Sequence, residues 1–203
     1  ASAMLEFAAA VFFLIVTPGP GVLSTAGVGA SFGRGAGLAY VAGLWAGNNA
    51  VALAVVSGLA AILFTLPWLR AVLLAASAAY LLYLAAKIAF AGAKVGFIHP
   101  ERAPGAPNGL LLQLINPKAY AVHTTLFSGF AFMPGALAWE TGLKFLIMNA
   151  IWIPIHLLWL WAGVTLRRLD LAPRVQRGIN AGMALAMLAV VGLAVWSQLG
   201  PGR

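Results

Sequence analysis

The sequence predicts an all-α integral membrane protein with six transmembrane helices, arranged as two inverted repeats of three helices. Composition is the first reason: 63% of the 203 residues are hydrophobic and 8% are charged, whereas a soluble domain is about half apolar and a quarter charged. Mean hydropathy is +0.97. The other reasons are six apolar runs of spanning length and a proline-containing break in the first and the fourth of them.

The six runs follow one another with short connections. A helix that crosses a bilayer needs roughly 20 apolar residues. Runs of that kind lie at about 4–31, 36–65, 68–91, 108–133, 140–166 and 176–198. They leave no space for a soluble domain, so residues 1–203 are predicted to form a single transmembrane domain. Repeat A covers about 1–92, a polar linker covers 93–107, and repeat B covers about 108–203.

The first run is interrupted by the segment Thr17-Pro18-Gly19-Pro20-Gly21. Its prolines lack an N–H group, so the carbonyls of Leu14 and Val16 lose their helical partners. An unpaired polar group in hydrocarbon costs several kcal/mol. Such a break is therefore expected only inside protein or beside a polar cavity.

The fourth run carries a similar break at Asn116-Pro117-Lys118, where Pro117 frees the carbonyl of Gln113. Three spans in each half force the second half to insert upside down relative to the first. The two breaks then occupy corresponding places in the two repeats. Broken helices at corresponding places are typical of a transporter with a site near the middle of the membrane.

The distribution of lysine and arginine predicts the orientation of the protein in the membrane. The net charge is +8, and its carriers lie between apolar runs, which is typical of a membrane protein and not of a nucleic-acid-binding protein. The connections after the first, third and fifth spans hold Arg34, Lys94, Arg102, Arg167, Arg168, Arg174 and Arg177. The opposite face holds Arg70, Lys144 and Arg203. The richer face is predicted to be cytoplasmic, with both termini on the periplasmic side of a bacterial inner membrane.

Small residues form a stripe on the second span at Gly43, Gly47, Ala50, Ala54 and Gly58. Small side chains allow helix backbones to approach closely in lipid. The stripe predicts a helix contact, either within the chain or across a homodimer.

Lys118 is the ionisable residue placed most clearly inside a span, roughly ten residues from its start. A charge at that depth indicates function by default, although a lysine can also extend along the helix to an interface. The acidic residues Glu6, Glu101, Glu140 and Asp170 all fall near segment ends or in loops.

Other polar side chains recur at helical spacing near the breaks. Asn116, Tyr120 and His123 follow one another at i, i+4 and i+7. For Asn116 and Asn149, an interhelical hydrogen bond and a ligand contact are both open interpretations. His156 fits either a proton-linked role or a satisfied core histidine. The chain has no cysteine and no soluble-type catalytic motif, so no metal, cofactor or enzymatic activity is predicted.

Several ordered motifs resemble the LysE/RhtB family of amino-acid exporters. They are Thr17 to Gly21, Gly33 to Leu38, Gly43 to Asn48, Ala79 to Leu84 and Gly109 to Ala119. The resemblance implies efflux of amino acids or related small metabolites from the bacterial cytoplasm, driven by an ion gradient. Asn48 departs from it, since the family usually has an acidic residue there.

The sequence therefore predicts a secondary exporter that works by alternating access and uses a proton or sodium gradient. An intramembrane enzyme and a structural membrane subunit are the alternatives. The residues predicted to contact the amino-acid-like substrate are Thr17, Pro18, Gly19, Gly21, Asn48, Asn49, Asn116, Pro117, Lys118, Asn149 and His156.

Overall fold

The computed structural model describes residues 2–63, 65–91 and 101–199, and within these ranges the chain is helical with no strand. Lys94 and Arg203, which contributed to the charge argument, lie outside this part. Nine helices are described: α1 (Ser2–Val16), α2 (Pro20–Phe32), α3 (Arg34–Val56), α4 (Leu59–Leu63), α5 (Pro67–Ala89), α6 (Ala106–Ile115), α7 (Pro117–Ser128), α8 (Leu137–Arg168) and α9 (Pro173–Leu199).

Four of these helices, α3, α5, α8 and α9, are long and apolar enough to cross a membrane. Helices α1 and α2 together make a fifth candidate span, bent by 50° at the break between them. The chain is therefore a multi-pass membrane protein. The fourth predicted span, 108–133, is instead divided into α6 and α7, and of these only α6 is a short apolar helix. Helix α7 carries Lys118, His123 and two threonines and is not among the apolar helices. The fourth span is therefore not established, and the six-span repeat remains a prediction.

Two predicted boundaries were wrong. The second span ends at Val56 and not near residue 65, because Gly58 adopts a φ of +82°, which an α-helix cannot continue. The connection between the last two predicted runs, 140–166 and 176–198, is shorter than expected, since α8 extends to Arg168 and α9 begins at Pro173. The linker predicted at 93–107 lies partly outside the described residues, and α6 already begins at Ala106.

Both predicted helix breaks are present. Helix α1 ends at Val16, and the Thr17 hydroxyl donates to the carbonyl of Phe13. Helix α2 then starts at Pro20, a favoured residue for a first helical position. At the second break, the Asn116 side chain accepts a hydrogen bond from the Lys118 N–H at 3.1 Å and caps α7.

Glycines bring two pairs of helices into backbone contact. A Cβ on Gly43 in α3 would lie 1.9 Å from the carbonyl oxygen of Ala106 in α6. A Cβ on Gly163 in α8 would lie 2.1 Å from the carbonyl oxygen of Ala26 in α2. Gly47 also faces α6, with 2.6 Å between its would-be Cβ and the Cβ of Gln113. The stripe on α3 thus serves packing within the chain at Gly43 and Gly47, and the homodimer interpretation gains no support from it.

The end of the molecule that holds Arg167 and Arg102 is called the basic end below. There the Arg167 guanidinium donates to the carbonyl of Ser31 at 2.7 Å and joins α8 to the end of α2. Lys87 donates to the carbonyl of Arg102 at 2.6 Å and holds the segment before α6 against α5. Both cations satisfy backbone carbonyls at a point where chain segments end.

The opposite end is held together by Glu140 and Lys144, both buried in α8. The Glu140 carboxylate accepts hydrogen bonds from the backbone N–H groups of Phe132 and Met133. Lys144 donates to the carbonyl of Gly129 at 2.6 Å and lies 3.8 Å from Glu140. These two charges fix the loop between α7 and α8, which places them at a segment end, as the sequence predicted for Glu140.

Candidate functional site

The two helix breaks meet at Lys118. Its ammonium nitrogen donates to the carbonyl oxygen of Thr17 at 3.0 Å, across 101 positions of sequence. That carbonyl is available because α1 has already ended at Val16. Gly19 makes room for the ammonium, since a Cβ at this position would lie 2.7 Å from the nitrogen. The start of α7 is thereby joined to the break between α1 and α2.

A small chamber of about 40 Å³ adjoins this contact. That volume holds about two or three water molecules, which is less than an amino acid needs. Its lining comes from helices α1, α2, α3, α6, α7 and α8 and from the break at Asn116. The lining residues are Ile15, Gly21, Val22, Asn48, Gln113, Asn116, Lys118, Ala119, Val122, His123, Trp152 and His156.

A buried amide–imidazole pair forms one wall of the chamber. The Oδ1 atom of Asn48 lies 2.8 Å from Nε2 of His123, and the Asn48 amide donates to the sulfur of Met148 at 3.1 Å. Asn48 therefore accepts the proton carried by Nε2, which leaves Nδ1 of His123 as an acceptor. Within the described residues this buried Nδ1 has no hydrogen-bond partner.

His156 forms the opposite wall. Its Nδ1 lies 3.0 Å from the carbonyl oxygen of Trp152, and because a carbonyl only accepts, Nδ1 is the nitrogen that carries the hydrogen. The imidazole stacks on the Trp152 indole with ring centroids 3.6 Å apart. Its Nε2 is directed at Gly21, where a Cβ would lie 3.4 Å away. The ring is thus held in one orientation, with its acceptor nitrogen toward α2.

A second cavity of about 120 Å³ lies on the other side of Lys118. Asn116 and Lys118 line both cavities. The second cavity is bounded by both breaks and by α5 and α9, through Pro18, Gly19, Pro20, Leu74, Ser77, Ala78, Leu81, Pro117, Val190 and Val191. Lys118 therefore separates a polar chamber from a more apolar one.

Most of the residues predicted from sequence are brought together here. Gly21, Asn48, Asn116, Lys118 and His156 line the chamber. Pro18, Gly19 and Pro117 line the second cavity, and Thr17 contributes its carbonyl.

Asn49 and Asn149 are not among them and line neither cavity. Their side-chain amides bond to each other in both directions, at 3.0 and 2.9 Å. The remaining amide hydrogens donate to the carbonyls of Trp45 and Phe145, and the Trp45 indole donates to Asn149 at 2.8 Å. Both amides are therefore already paired. Of the two interpretations left open for Asn149, the structure shows the interhelical hydrogen bond, and Asn49 is its partner.

The chamber includes two polar residues that the sequence analysis did not place in the site. Gln113 is buried and accepts a hydrogen bond from the Asn116 amide at 3.2 Å. It lies three residues before Asn116, so helical spacing could have identified it. His123 was noticed for its spacing, but the partner that fixes it, Asn48, is 75 residues away.

The charge of the site comes from Lys118. Among the described residues, the linings of both cavities contain no carboxylate, and no group of three or more potential metal ligands occurs. The site can therefore offer one cation, neutral amides, two imidazoles and the carbonyl of Thr17, which Lys118 contacts. This set suits a small solute that carries a carboxylate and hydrogen-bond donors.

Comparison with known proteins identifies a family for the chain. No solved structure is significantly similar to the chain. The family model described as LysE type translocator matches residues 12–198, a range that includes both helix breaks and all the residues that line the two cavities. The chain therefore belongs to the LysE type translocator family and is a multi-pass membrane transporter.

Proposed function

We propose that the protein is a secondary transporter that exports neutral amino acids or related zwitterionic metabolites from the cytoplasm by alternating access, driven by a proton or sodium gradient. The observation that supports this most directly is the meeting of the two helix breaks at Lys118. The orientation is that given by the charge distribution, with the basic end in the cytoplasm and both termini in the periplasm.

Recognition of the solute rests on complementary charge at the breaks. The Lys118 ammonium binds the carboxylate of the solute, since charge-assisted hydrogen bonds are the strong ones. Lys118 also lies in the first turn of α7, whose N-terminal dipole favours an anion. The carbonyls left free at the end of α1 accept from the solute's ammonium group. Asn48, Gln113 and Asn116 add neutral hydrogen bonds, which favours a zwitterion over a solute with a second positive charge.

The small size of the chamber supports alternating access. At about 40 Å³ it holds about two or three water molecules, so in the proposed mechanism the two repeats separate when an amino acid enters. The peptide links around Gly19 and Gly21 provide the pivot, because glycine has the widest conformational range. Binding then exchanges the Lys118–Thr17 contact for contacts with the solute.

Counterflow into proteoliposomes tests the proposal. Purified protein is reconstituted with unlabelled amino acid inside, and uptake of the same labelled amino acid is measured over a broad panel of solutes. Removing the Lys118 charge with Lys118→Met is expected to reduce exchange by about tenfold to a hundredfold, since a hydrogen bond to a charged group contributes about 1.5–3 kcal/mol.

Arg168→Met is the matched control, because Arg168 is an exposed cation at the end of α8, away from both cavities. It should exchange at the normal rate. Normal exchange by Lys118→Met would remove Lys118 from the mechanism. Absence of exchange for every solute would favour a structural membrane subunit instead.

A further inference from the structure

A groove of about 460 Å³ opens between α5 and α7. Its walls are α5 around Arg70 and Leu74 and α7 from Pro117 to Thr125. It shares Leu74 and Pro117 with the 120 Å³ cavity, which shares Lys118 with the chamber. The three spaces therefore follow one another from the chamber to the surface of the molecule.

The groove runs away from the basic end. Helix α7 leads from the break to the loop held by Glu140 and Lys144, and Arg70 lies in the first turn of α5. From Pro117 to Thr125 the helix rises about 12 Å at 1.5 Å per residue. Half of a hydrocarbon layer about 30 Å thick is of similar size. The groove therefore covers the distance from the breaks to the membrane surface at the end opposite the basic end.

Four of the eight residues that line the groove carry polar side chains. Arg70, Thr124 and Thr125 are exposed, and Tyr120 is partly exposed. An entirely apolar surface would be expected if this side of α7 faced lipid alone.

The chamber is closed in the other direction. Helix α6 crosses α3 in backbone contact at Gly43 and Gly109, and α2 crosses α8 in the same way at Gly163. The Arg167–Ser31 hydrogen bond joins the same two helices, α2 and α8, at the basic end. Access toward the basic end thus requires these helices to separate, whereas the groove on the opposite side is already open.

We propose that the groove between α5 and α7 is the outer vestibule through which a carboxylate-bearing solute leaves Lys118, with Arg70 as a second anion-binding residue at its mouth. This inference rests on the proposed function and assigns the exit side and a residue of the path. Within its described lining the groove has one cation, Arg70, and no carboxylate, so it attracts the anionic group of the solute and leaves the ammonium group free.

Cysteine labelling tests the vestibule without requiring a known solute. The chain has no cysteine, so Thr124→Cys introduces a single thiol in the groove. Val72→Cys, exposed on α5 but outside the groove lining, is the control. A membrane-impermeant charged thiol reagent is added to the periplasmic side of right-side-out vesicles. Thr124→Cys is expected to react at least tenfold faster than Val72→Cys.

The role of Arg70 is tested on the same thiol. An anionic reagent should modify Thr124→Cys faster than a cationic reagent of equal size. Adding Arg70→Gln should lower that rate ratio by about two- to fivefold, the range that an exposed charge contributes. Adding Arg174→Gln, which removes an exposed cation near the basic end, should leave the ratio unchanged.

Three outcomes would overturn the inference. Equal, slow labelling of both cysteines would mean that lipid or a second chain fills the groove. Labelling only from the cytoplasmic side would reverse the exit direction. An unchanged rate ratio in Arg70→Gln would exclude Arg70 as the anion-binding residue. Labelling does not depend on transport, so failure to find an exchanged solute would count against the proposed function and not against the vestibule.

Discussion

Lys118 and Gly19 show how one side chain and one missing side chain define the site. The ammonium reaches the Thr17 carbonyl only because Gly19 has no Cβ in its path. The backbone at Gly19 is extended, with φ of −161°, so any residue could adopt its conformation. What the position requires in this conformation is space for the ammonium.

Gly19→Ala should therefore impair transport without unfolding the protein. The added Cβ would meet Lys118 atoms at 2.7 and 3.1 Å, and the flexible lysine can move away at little cost. Loss of the ammonium from its place is expected to lower counterflow by about tenfold or more, given about 1.5–3 kcal/mol for a charged hydrogen bond. Gly35→Ala, with nothing within 4 Å, is the control. Equal counterflow by both variants would contradict this account.

Single residues were predicted from sequence where their chemistry is local. A proline in an apolar run marks a break wherever the chain folds, and a lysine beside that break is costly in any membrane. Partners were not predictable, because Thr17 lies 101 residues from Lys118 and Asn49 lies 100 residues from Asn149. For the same reason Asn49 and Asn149 were expected at the site, although each satisfies the other.

At the scale of helices, the sequence predicts that a spanning helix is present better than it predicts where that helix ends. Apolar runs identified α3, α5, α8 and α9 because twenty apolar residues have few alternatives to a spanning helix. The end of α3 was missed, since apolar residues continue on both sides of Gly58 and only its φ of +82° turns the chain. The small-residue stripe predicted a close contact, but nothing in it named α6 as the neighbour.

Gly43→Ala should destabilise the crossing of α3 and α6. Its Cβ would lie 1.9 Å from the Ala106 carbonyl oxygen. The Cβ is fixed to the backbone of α3 and the oxygen belongs to the backbone of α6, so the two helices must move apart. Overpacking of this kind costs about 1–3 kcal/mol. Thermal unfolding in detergent should therefore show a lower transition temperature. Gly182→Ala in α9, which meets nothing within 4 Å, should unfold at or above the normal temperature, and the same value for both variants would refute the contact.

At the scale of the whole molecule, the amide pair of Asn49 and Asn149 joins repeat A to repeat B. It connects α3 to α8 beside the Trp45 indole and away from the chamber. Hydrogen bonds between membrane helices contribute on average about 0.6 kcal/mol and at most about 1.7. Because both amides are paired, we expect the pair to position the two halves of the chain and not to bind the solute.

Asn49→Leu and Asn149→Leu test this assignment as a double-mutant cycle. Each single change removes the hydrogen bonds between the two amides, so each should lower the free energy of unfolding by about 0.6–1.7 kcal/mol. The double variant should lose less than the sum, because the two residues share one interaction. The solute concentration for half-maximal counterflow should stay constant. A rise in that concentration with unchanged stability would instead make these residues ligands.

Under the proposed function, the Lys118–Thr17 contact has a consequence for leakage of the driving gradient. The ammonium that would receive the cargo joins the two halves of the chain in this structure. The unloaded carrier would then be held by its own recognition group until a carboxylate released it. Idle cycling, which would dissipate a driving gradient without moving cargo, would be hindered by the same nitrogen that binds the cargo.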